Sequence, residues 1–261
     1  MRFNPFVTHG LALLLVGAAN AGTLREDFEK TYSLAKGGKV VLSNTNGTVS
    51  VESWDKEEVR IQAEKIVRAD GRRRAEEIME EIRIEITQRE GVLEIETEIP
   101  RYRNGFWDSV FGDDISIAVN YRLLVPAEIN LDVGTVNGAV AVTRITGRIQ
   151  LSSTNGRIKV FESKGTIATK TTNGGIEAEL LGFNAEEDMS FHTINGSITV
   201  YFPENFRGEI EARTTNGSIK TDFPIEVQGE ISKRRLRGTI NGGGGRVDFH
   251  TTNGSIKILA R

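Results

Sequence analysis

Few residues in this 261-residue sequence are suited to catalysis or metal binding, because it contains three histidines and no cysteine. His192 and His250 occupy the same position in two copies of a repeated phrase, where other copies have Lys170 and Arg213. A metal site needs further ligands near the histidines, and the sequence specifies none. The HExxH and Gly-x-Ser-x-Gly motifs of metalloproteases and serine hydrolases are also missing. We therefore predict no catalytic residue, no metal site and no cofactor.

A second group of candidate residues lies in the segment RYRNGFWDSVFGDD, residues 101–114. This segment fits neither the helical nor the strand period, which predicts a loop. Exposed aromatic side chains on loops commonly contact sugars or protein partners. The alternative is that these side chains pack back over the core as a lid. The candidate ligand-binding residues are Arg101, Tyr102, Arg103, Phe106, Trp107 and Phe111.

The sequence that must position these residues is dominated by a repeat of the form T-x-N-G-x-I. Its clearest copies are RTTNGSIKT at 213–221 and HTTNGSIKI at 250–258. Apolar and polar residues alternate on both sides of Asn-Gly, which is typical of strands with one buried face. Aligning the copies gives one column of asparagines: Asn46, Asn137, Asn155, Asn173, Asn195, Asn216 and Asn253.

Two architectures fit this repeat. Asn and Gly both tolerate positive φ, so each Asn-Gly is expected to be a turn. It could be the tip of a hairpin or the corner of one coil in a β-solenoid. From Asn137 the asparagine spacings are 18, 18, 22, 21 and then 37 residues, the last being close to two coils. Residue identity is kept between copies, which favours a solenoid in which stacked asparagines bind one another as a structural ladder.

The N-terminal residues 1–21 are predicted to be a signal peptide. Arg2 precedes an apolar stretch, and Ala19-Asn20-Ala21 is the small-x-small pattern recognised by signal peptidase. A membrane anchor is the alternative, but the apolar stretch is shorter than the ~20 residues that span a bilayer. We therefore expect cleavage after Ala21, export to the periplasm, cell surface or medium, and no transmembrane segment in the mature chain.

The remaining sequence is predicted to have two parts. Residues 22–126 are expected to cap the solenoid with strands, a hairpin and one short helix, and they include the first repeat at 38–52. Residues 127–261 are expected to form the solenoid. The phrase DGRRRAEEIMEEI predicts the helix, with Asp70 as its N-cap. The hairpin is expected to turn at Glu90-Gly91.

Charge excludes one class of partner. The formal net charge is −3, so nothing in the overall composition indicates nucleic acid. The phrase KRRLR at 233–237 is a local basic patch. It could contact anionic lipid or acidic polysaccharide, or it could be a solvated loop without a ligand.

The T-x-N-G-x-I repeats, an A-E-E-I helix and the strand YRLLVP resemble a bacterial family of putative adhesin domains of unknown function, related to the GIN-type head domain. The resemblance covers Leu34 to Ile258. It implies an all-β fold, a right-handed single-chain β-solenoid of the cell envelope with no established enzymatic activity. It supplies no catalytic residues.

Two classes of function follow. The first is a non-enzymatic exported module for adhesin-like binding, scaffolding or envelope sensing, with an envelope glycan or another envelope protein as partner. The second is a polysaccharide-acting β-helix enzyme, a lyase or hydrolase. Such an enzyme needs acids and bases clustered on one face, and the outward positions of the repeat contain no repeated acidic row.

Overall fold

A computed structural model describes residues 22–99, 115–227 and 232–261. The predicted signal peptide and the six candidate residues Arg101, Tyr102, Arg103, Phe106, Trp107 and Phe111 lie outside the described residues. Within these ranges the chain forms twenty strands and one helix. The fold is therefore nearly all-β, as the sequence predicts.

The first eight elements, which include the first repeat, are β1 (Thr23–Ser33), β2 (Lys39–Ser43), β3 (Val49–Trp54), β4 (Glu58–Arg68), α1 (Arg72–Glu81), β5 (Arg83–Arg89), β6 (Val92–Glu98) and β7 (Ser116–Pro126). The array continues with β8 (Asn130–Asn137), β9 (Val140–Thr143), β10 (Thr146–Asn155), β11 (Ile158–Asn173), β12 (Ile176–Gly182), β13 (Met189–His192) and β14 (Ile198–Phe202). The last strands are β15 (Gly208–Asn216), β16 (Ile219–Thr221), β17 (Glu226–Val227), β18 (Arg235–Ile240), β19 (Arg246–Asn253) and β20 (Ile256–Ala260).

Two stacks of parallel strands share one hydrophobic core. We call the first the front sheet, which runs β6–β2–β8–β10–β11–β13–β19–β15. The second is the back sheet, β7–β3–β9–β11–β12–β14–β20–β16. Strand β11 belongs to both, since it bends near Glu162, where φ is 49°. Each Asn-Gly joins a front strand to a back strand.

The register aligns equivalent positions of successive repeats. Ile149 of β10 pairs with Leu131 on one side and with Ile167 on the other. All three side chains are buried, and alternating β-branched and aliphatic residues suit such a half-buried strand. The parallel stacking of the repeats confirms a β-solenoid-like arrangement, with one front and one back strand per coil.

The order of coils in space differs from their order in the sequence. Strand β19 lies between β13 and β15, although β15 precedes it in the chain. Asn253 accordingly stacks between Asn195 and Asn216. The prediction that the 37-residue spacing represents two successive coils is therefore wrong. Those residues contain the β17–β18 hairpin, whose strand β18 pairs with the outer edge of β15. The chain then continues into β19, on the inner side of β15.

The opposite end of the stack is covered by β1 and by the inserted segment between β3 and β8. Strands β6 and β7 lie outside β2 and β3, and β4 and β1 extend the back sheet in antiparallel fashion. Strands β5 and β6 form the expected hairpin, with positive φ at Glu90 and Gly91. The helix buries Ala75, Ile78 and Met79, but its N-cap is Gly71 without a side-chain hydrogen bond. The prediction that Asp70 caps the helix is wrong.

Candidate functional site

The asparagines form a continuous side-chain ladder along one edge of the stack. In each pair Nδ2 of one asparagine donates to Oδ1 of the asparagine in the preceding coil, at 2.7–2.8 Å. All six bonds run in the same direction. In spatial order the ladder is Asn46, Asn137, Asn155, Asn173, Asn195, Asn253 and Asn216. Each asparagine inside the ladder hydrogen-bonds through its side-chain amide to the asparagines on both sides. These residues therefore stabilise the fold and are not free to bind a ligand.

The glycine after each asparagine is required by close stacking and, at six of the seven corners, not by positive φ. None of the ladder asparagines has positive φ, and among their glycines only Gly47 does. A Cβ on Gly156 would lie 1.8 Å from the carbonyl oxygen of Gly138. Equivalent overlaps of 1.8–2.1 Å occur at the other corners. The interpretation of Asn-Gly as a positive-φ turn is therefore wrong at six of the seven corners, where the coils approach too closely for any side chain.

A third repeated group is the buried hydroxyl two residues before each asparagine. Thr171 donates to the carbonyl of Gly156 at 2.9 Å, and Thr193 donates to Gly174 at 2.8 Å. In the first coil Asn44 replaces the hydroxyl and donates to the carbonyl of Val119 at 2.9 Å. The Thr of T-x-N-G was visible in the sequence, but its role required knowledge of the neighbouring coil. These groups also serve the fold.

The outward positions of the front sheet vary and place several basic side chains together. Three residues before the ladder, Lys170 pairs with His192, His192 with His250, and His250 with Arg213. Strand β18 adds Arg235, which pairs with Arg213. We call these five residues the basic row. The two imidazole rings lie 6.2 Å apart between centroids, and every member of the row is at least partly exposed.

Two carboxylates lie beside the basic row, on the same outward side. Asp248 Oδ2 lies 3.3 Å from His192 Nε2. Glu211 is largely buried and forms ion pairs with Arg213 and Arg246. Within the ranges that the structure describes, no ion pair involves Lys170, His250 or Arg235. Lys170 and Arg235 therefore keep unneutralised positive charge.

Perturbed ionisable groups lie elsewhere. Burial raises the pKa of Tyr121 to about 12, against a lowering effect from its hydrogen bond with Thr97, which is 2.7 Å long. The Thr166 hydroxyl donates to Glu187 and holds the pKa of that carboxyl below its ordinary value. Tyr121 joins β7 to β6 inside the cap and Glu187 lies on the surface, so neither forms an acid–base pair.

Two surface depressions are candidates for a catalytic cleft. One, of about 40 Å³, is lined by Glu209, Glu211, Arg237 and Arg246 among others. The other, of about 460 Å³, is open and its lining includes one carboxylate, Glu204, together with Arg261. The carboxylate pair therefore faces a space that holds only a few water molecules. In the part of the chain that the structure describes, no cluster of three metal-binding side chains occurs.

The described residues contain no helix with the length and apolar character needed to cross a membrane. Strands β6 and β7, which flank the predicted aromatic loop, pair with β2 and β3. Since Asn46 joins β2 to β3, β6 ends and β7 begins at the edge of the stack that carries the ladder.

Stacked coils, an asparagine ladder and two covered ends define the class of this protein as a β-solenoid-like domain built on short repeats. Residues 126–259 match the Toastrack DUF4097 family, and the chain belongs to this family. The resemblance to a family of unknown function is thereby confirmed at this level. No curated protein matches the chain.

Solved structures with the same fold include a putative cell adhesion protein from Clostridium sporogenes. It is 15% identical, with a TM-score of 0.55 over 91% of this chain and 100% of that chain. A putative adhesin from Bacteroides fragilis is 10% identical, with a TM-score of 0.33 over 90% of this chain and 97% of that one. A putative lipid binding protein from Parabacteroides distasonis is 10% identical, with a TM-score of 0.32 over 90% and 96%. At 15% identity the likeness to the Clostridium sporogenes protein concerns the fold alone.

Proposed function

We propose that the mature protein is a non-enzymatic, exported module of the cell envelope that acts by surface contact. The observation that carries this proposal is that the recurring and the variable side chains of the repeat have different roles. The polar groups that recur from copy to copy form hydrogen bonds between coils, such as Asn173 to Asn155 and Thr171 to Gly156. The variable outward side chains are left for contact with a partner. Adhesin-like binding, scaffolding and envelope sensing are all forms of such contact.

Two further observations support this proposal. The structural relative from Clostridium sporogenes is described as a putative cell adhesion protein. The sequence begins with the pattern of a signal peptide, residues 1–21. A right-handed sense of the coils and a relation to the GIN-type head domain belong to the same proposal. The partner is an envelope glycan or another envelope protein.

A polysaccharide lyase or hydrolase is the competing function. Glycoside hydrolysis typically uses two carboxyl groups about 5–9.5 Å apart across a bound sugar, and ligand pockets are typically about 300–1,000 Å³. The depression beside Glu209 and Glu211 has a volume of about 40 Å³. Glu211 is also held by Arg213 and Arg246. These features favour binding without turnover.

The decisive experiment combines binding and turnover. The mature protein, from Gly22, is applied to a glycan array and to isolated cell-envelope fractions, and the same polysaccharides are assayed for new reducing ends and unsaturated products. We expect saturable binding without product. Product formation that is abolished in a Glu209→Gln/Glu211→Gln variant would replace this proposal with the enzymatic one.

The aromatic loop is proposed as one contact region. Its candidate residues are Arg101, Tyr102, Arg103, Phe106, Trp107 and Phe111. A Phe106→Ala/Trp107→Ala variant is expected to lose glycan retention while its thermal unfolding midpoint stays at the wild-type value. A lowered midpoint would instead show that these side chains form a lid over the core.

A further inference from the structure

We propose that the basic row is the binding site for a linear acidic polysaccharide, whose chain crosses the strands of the front sheet. This inference rests on the proposed function as a binding module and names the ligand class and the residues. The row consists of Lys170, His192, His250, Arg213 and Arg235 in spatial order.

The spacing of the row follows from the sheet. Neighbouring strands lie about 4.8 Å apart, so five successive strands place their side chains over about 19 Å. The insertion of β19 between β13 and β15 puts His250 between His192 and Arg213. Residues from five separate strands thus form one line of basic side chains. Such a line suits a polymer that carries one anionic group in each repeating unit.

The carboxylates beside the row limit what can bind there. Asp248 and Glu211 each lie two residues before a member of the row, on the same side of the sheet. A membrane surface is a plane of headgroups and would meet both carboxylates together with the cations. A single polymer chain can follow the row without covering them. The arrangement therefore favours a linear polyanion over an anionic membrane.

The opposite side of the row suits hydroxyl groups. Two residues beyond Lys170, His250 and Arg213 lie Thr172, Thr252 and Thr215, each at least partly exposed, while the residue two beyond His192 is the exposed Ile194. These hydroxyls can donate to and accept from sugar hydroxyls. The row contains no Phe, Tyr or Trp on which nucleic acid bases could stack. The combination of cations with neutral hydroxyls selects an acidic polysaccharide over a single-stranded nucleic acid.

The back sheet offers a matched control surface. Lys220 of β16 and Lys257 of β20 pair with each other in register and are both exposed. Replacing them with alanine removes the same charge as replacing Lys170 and Arg235. Any loss of binding that comes only from a lower net charge should be equal in the two double variants.

The test measures binding of oligogalacturonate to the mature protein, with fully methyl-esterified oligogalacturonate of equal length as the uncharged comparator. We expect wild-type protein to bind the acidic oligomer, to bind the ester at least about tenfold more weakly, and to lose affinity as salt is added. Lys170→Ala/Arg235→Ala should weaken binding about tenfold or more, whereas Lys220→Ala/Lys257→Ala should change it less than about twofold. Asp248→Asn should strengthen binding, because it removes a negative charge beside the row.

Several results would overturn the inference. Equal losses in the two double variants would show attraction by net charge alone. Undiminished binding by Lys170→Ala/Arg235→Ala would place the site elsewhere and leave the proposed function standing. Anionic vesicles or single-stranded DNA that bind as tightly as oligogalacturonate would exclude selection of a polysaccharide. Absence of oligogalacturonate binding would end the inference, while the glycan array and envelope fractions would still decide the proposed function.

Discussion

The ladder edge and the front face of the stack lie three residues apart in each repeat, yet the sequence treats them in opposite ways. All seven edge positions are Asn followed by Gly. In the same copies the face positions, in spatial order, are Ser43, Gly134, Ser152, Lys170, His192, His250 and Arg213. An edge residue contacts the equivalent residue in each adjacent coil, so both neighbouring coils constrain its identity. A face residue points to solvent and is free to change.

This difference distinguishes the residues that hold the coils together from the residues that are available to a partner. The first three face positions in space are neutral, and the next four are basic or imidazole side chains on the same backbone pattern. Repetition thus identifies the residues that hold the coils together. Departure from repetition identifies the surface that the fold makes available to a partner. The predictions below test whether this separation holds.

The largest effect is expected at the corner glycines. Gly156→Ala should destabilise the protein by about 3 kcal/mol or more, because the new Cβ would meet the Gly138 carbonyl oxygen at 1.8 Å. Gly182→Ala is the control, since its Cβ would make an ordinary contact of 3.5 Å with Lys164. Guanidinium unfolding of both variants measures the difference. Similar, small losses would mean that the coils can separate at the corners without cost.

Strands β6 and β7 form the outermost coil, in which the repeat phrase is missing. Tyr121 tests whether a buried side chain stabilises this coil as well. It occupies the register position of Val49 and Val140 and hydrogen-bonds Thr97. Its pKa is raised to about 12, against about 10 in an unfolded chain. Its contribution to stability is complete below pH 10 and is lost as pH rises towards 12, amounting to about 2–3 kcal/mol.

Guanidinium unfolding between pH 9 and 12 measures this loss. Tyr121→Phe should be less stable at pH 9, since it leaves the buried Thr97 hydroxyl without its partner, but its stability should fall less steeply with pH. An identical slope in the variant would assign the pH dependence to other groups.

Much of this architecture was predictable from the sequence. Period-two alternation around each Asn-Gly is sufficient for strands with one buried face, and the identity of Asn between copies indicates stacking. The position of β19 was not predictable, because nearly identical coils can stack on one another in any order. The role of Gly156 was hidden for a related reason. Its constraint comes from the next coil, whereas the Asn-Gly pattern indicates only the backbone conformation of its own turn.

The basic row was only partly visible in the sequence, where Arg235 belongs to the basic patch KRRLR at 233–237. Lys170, His192, Arg213 and His250 share one column of the alignment, but the alignment does not show that His250 precedes Arg213 in space. Arg235 belongs to no repeat and enters the row only through the antiparallel pairing of β18 with β15. The line of charge is a property of strand order, which the hydrophobic pattern does not encode.

The buried hydroxyls should give a smaller effect than the glycines. Thr171→Val removes the hydrogen bond to the Gly156 carbonyl while preserving shape and strand propensity. The expected cost is about 1–2 kcal/mol, because a carbonyl that is screened from water loses its partner. The neighbouring Thr172→Val is the matched control, since Thr172 points outward and should be nearly neutral. Equal effects of the two substitutions would remove the distinction between the inner and outer sides of the edge.

The ladder itself is exposed, so each of its bonds should contribute modestly. Asn173→Ala removes two hydrogen bonds, to Asn155 and from Asn195, and should cost about 1 kcal/mol. Asn216 ends the ladder and makes one such bond, so Asn216→Ala should cost about half as much. Thermal and guanidinium unfolding test this order. A larger loss at Asn216 would show that the ladder bonds do not determine the contribution of these residues.

The smallest change in stability is expected on the two faces. Lys170→Ala/Arg235→Ala and Lys220→Ala/Lys257→Ala should each alter the free energy of unfolding by less than about 0.5 kcal/mol. The second variant should be slightly more stable than wild type, because Lys220 and Lys257 are like charges on adjacent strands. A loss of about 1 kcal/mol in the first variant would place the basic row among the supporting residues. Near-neutral stability combined with impaired polymer binding would instead show that the front face has a role distinct from that of the edge, although both are built from the same repeat.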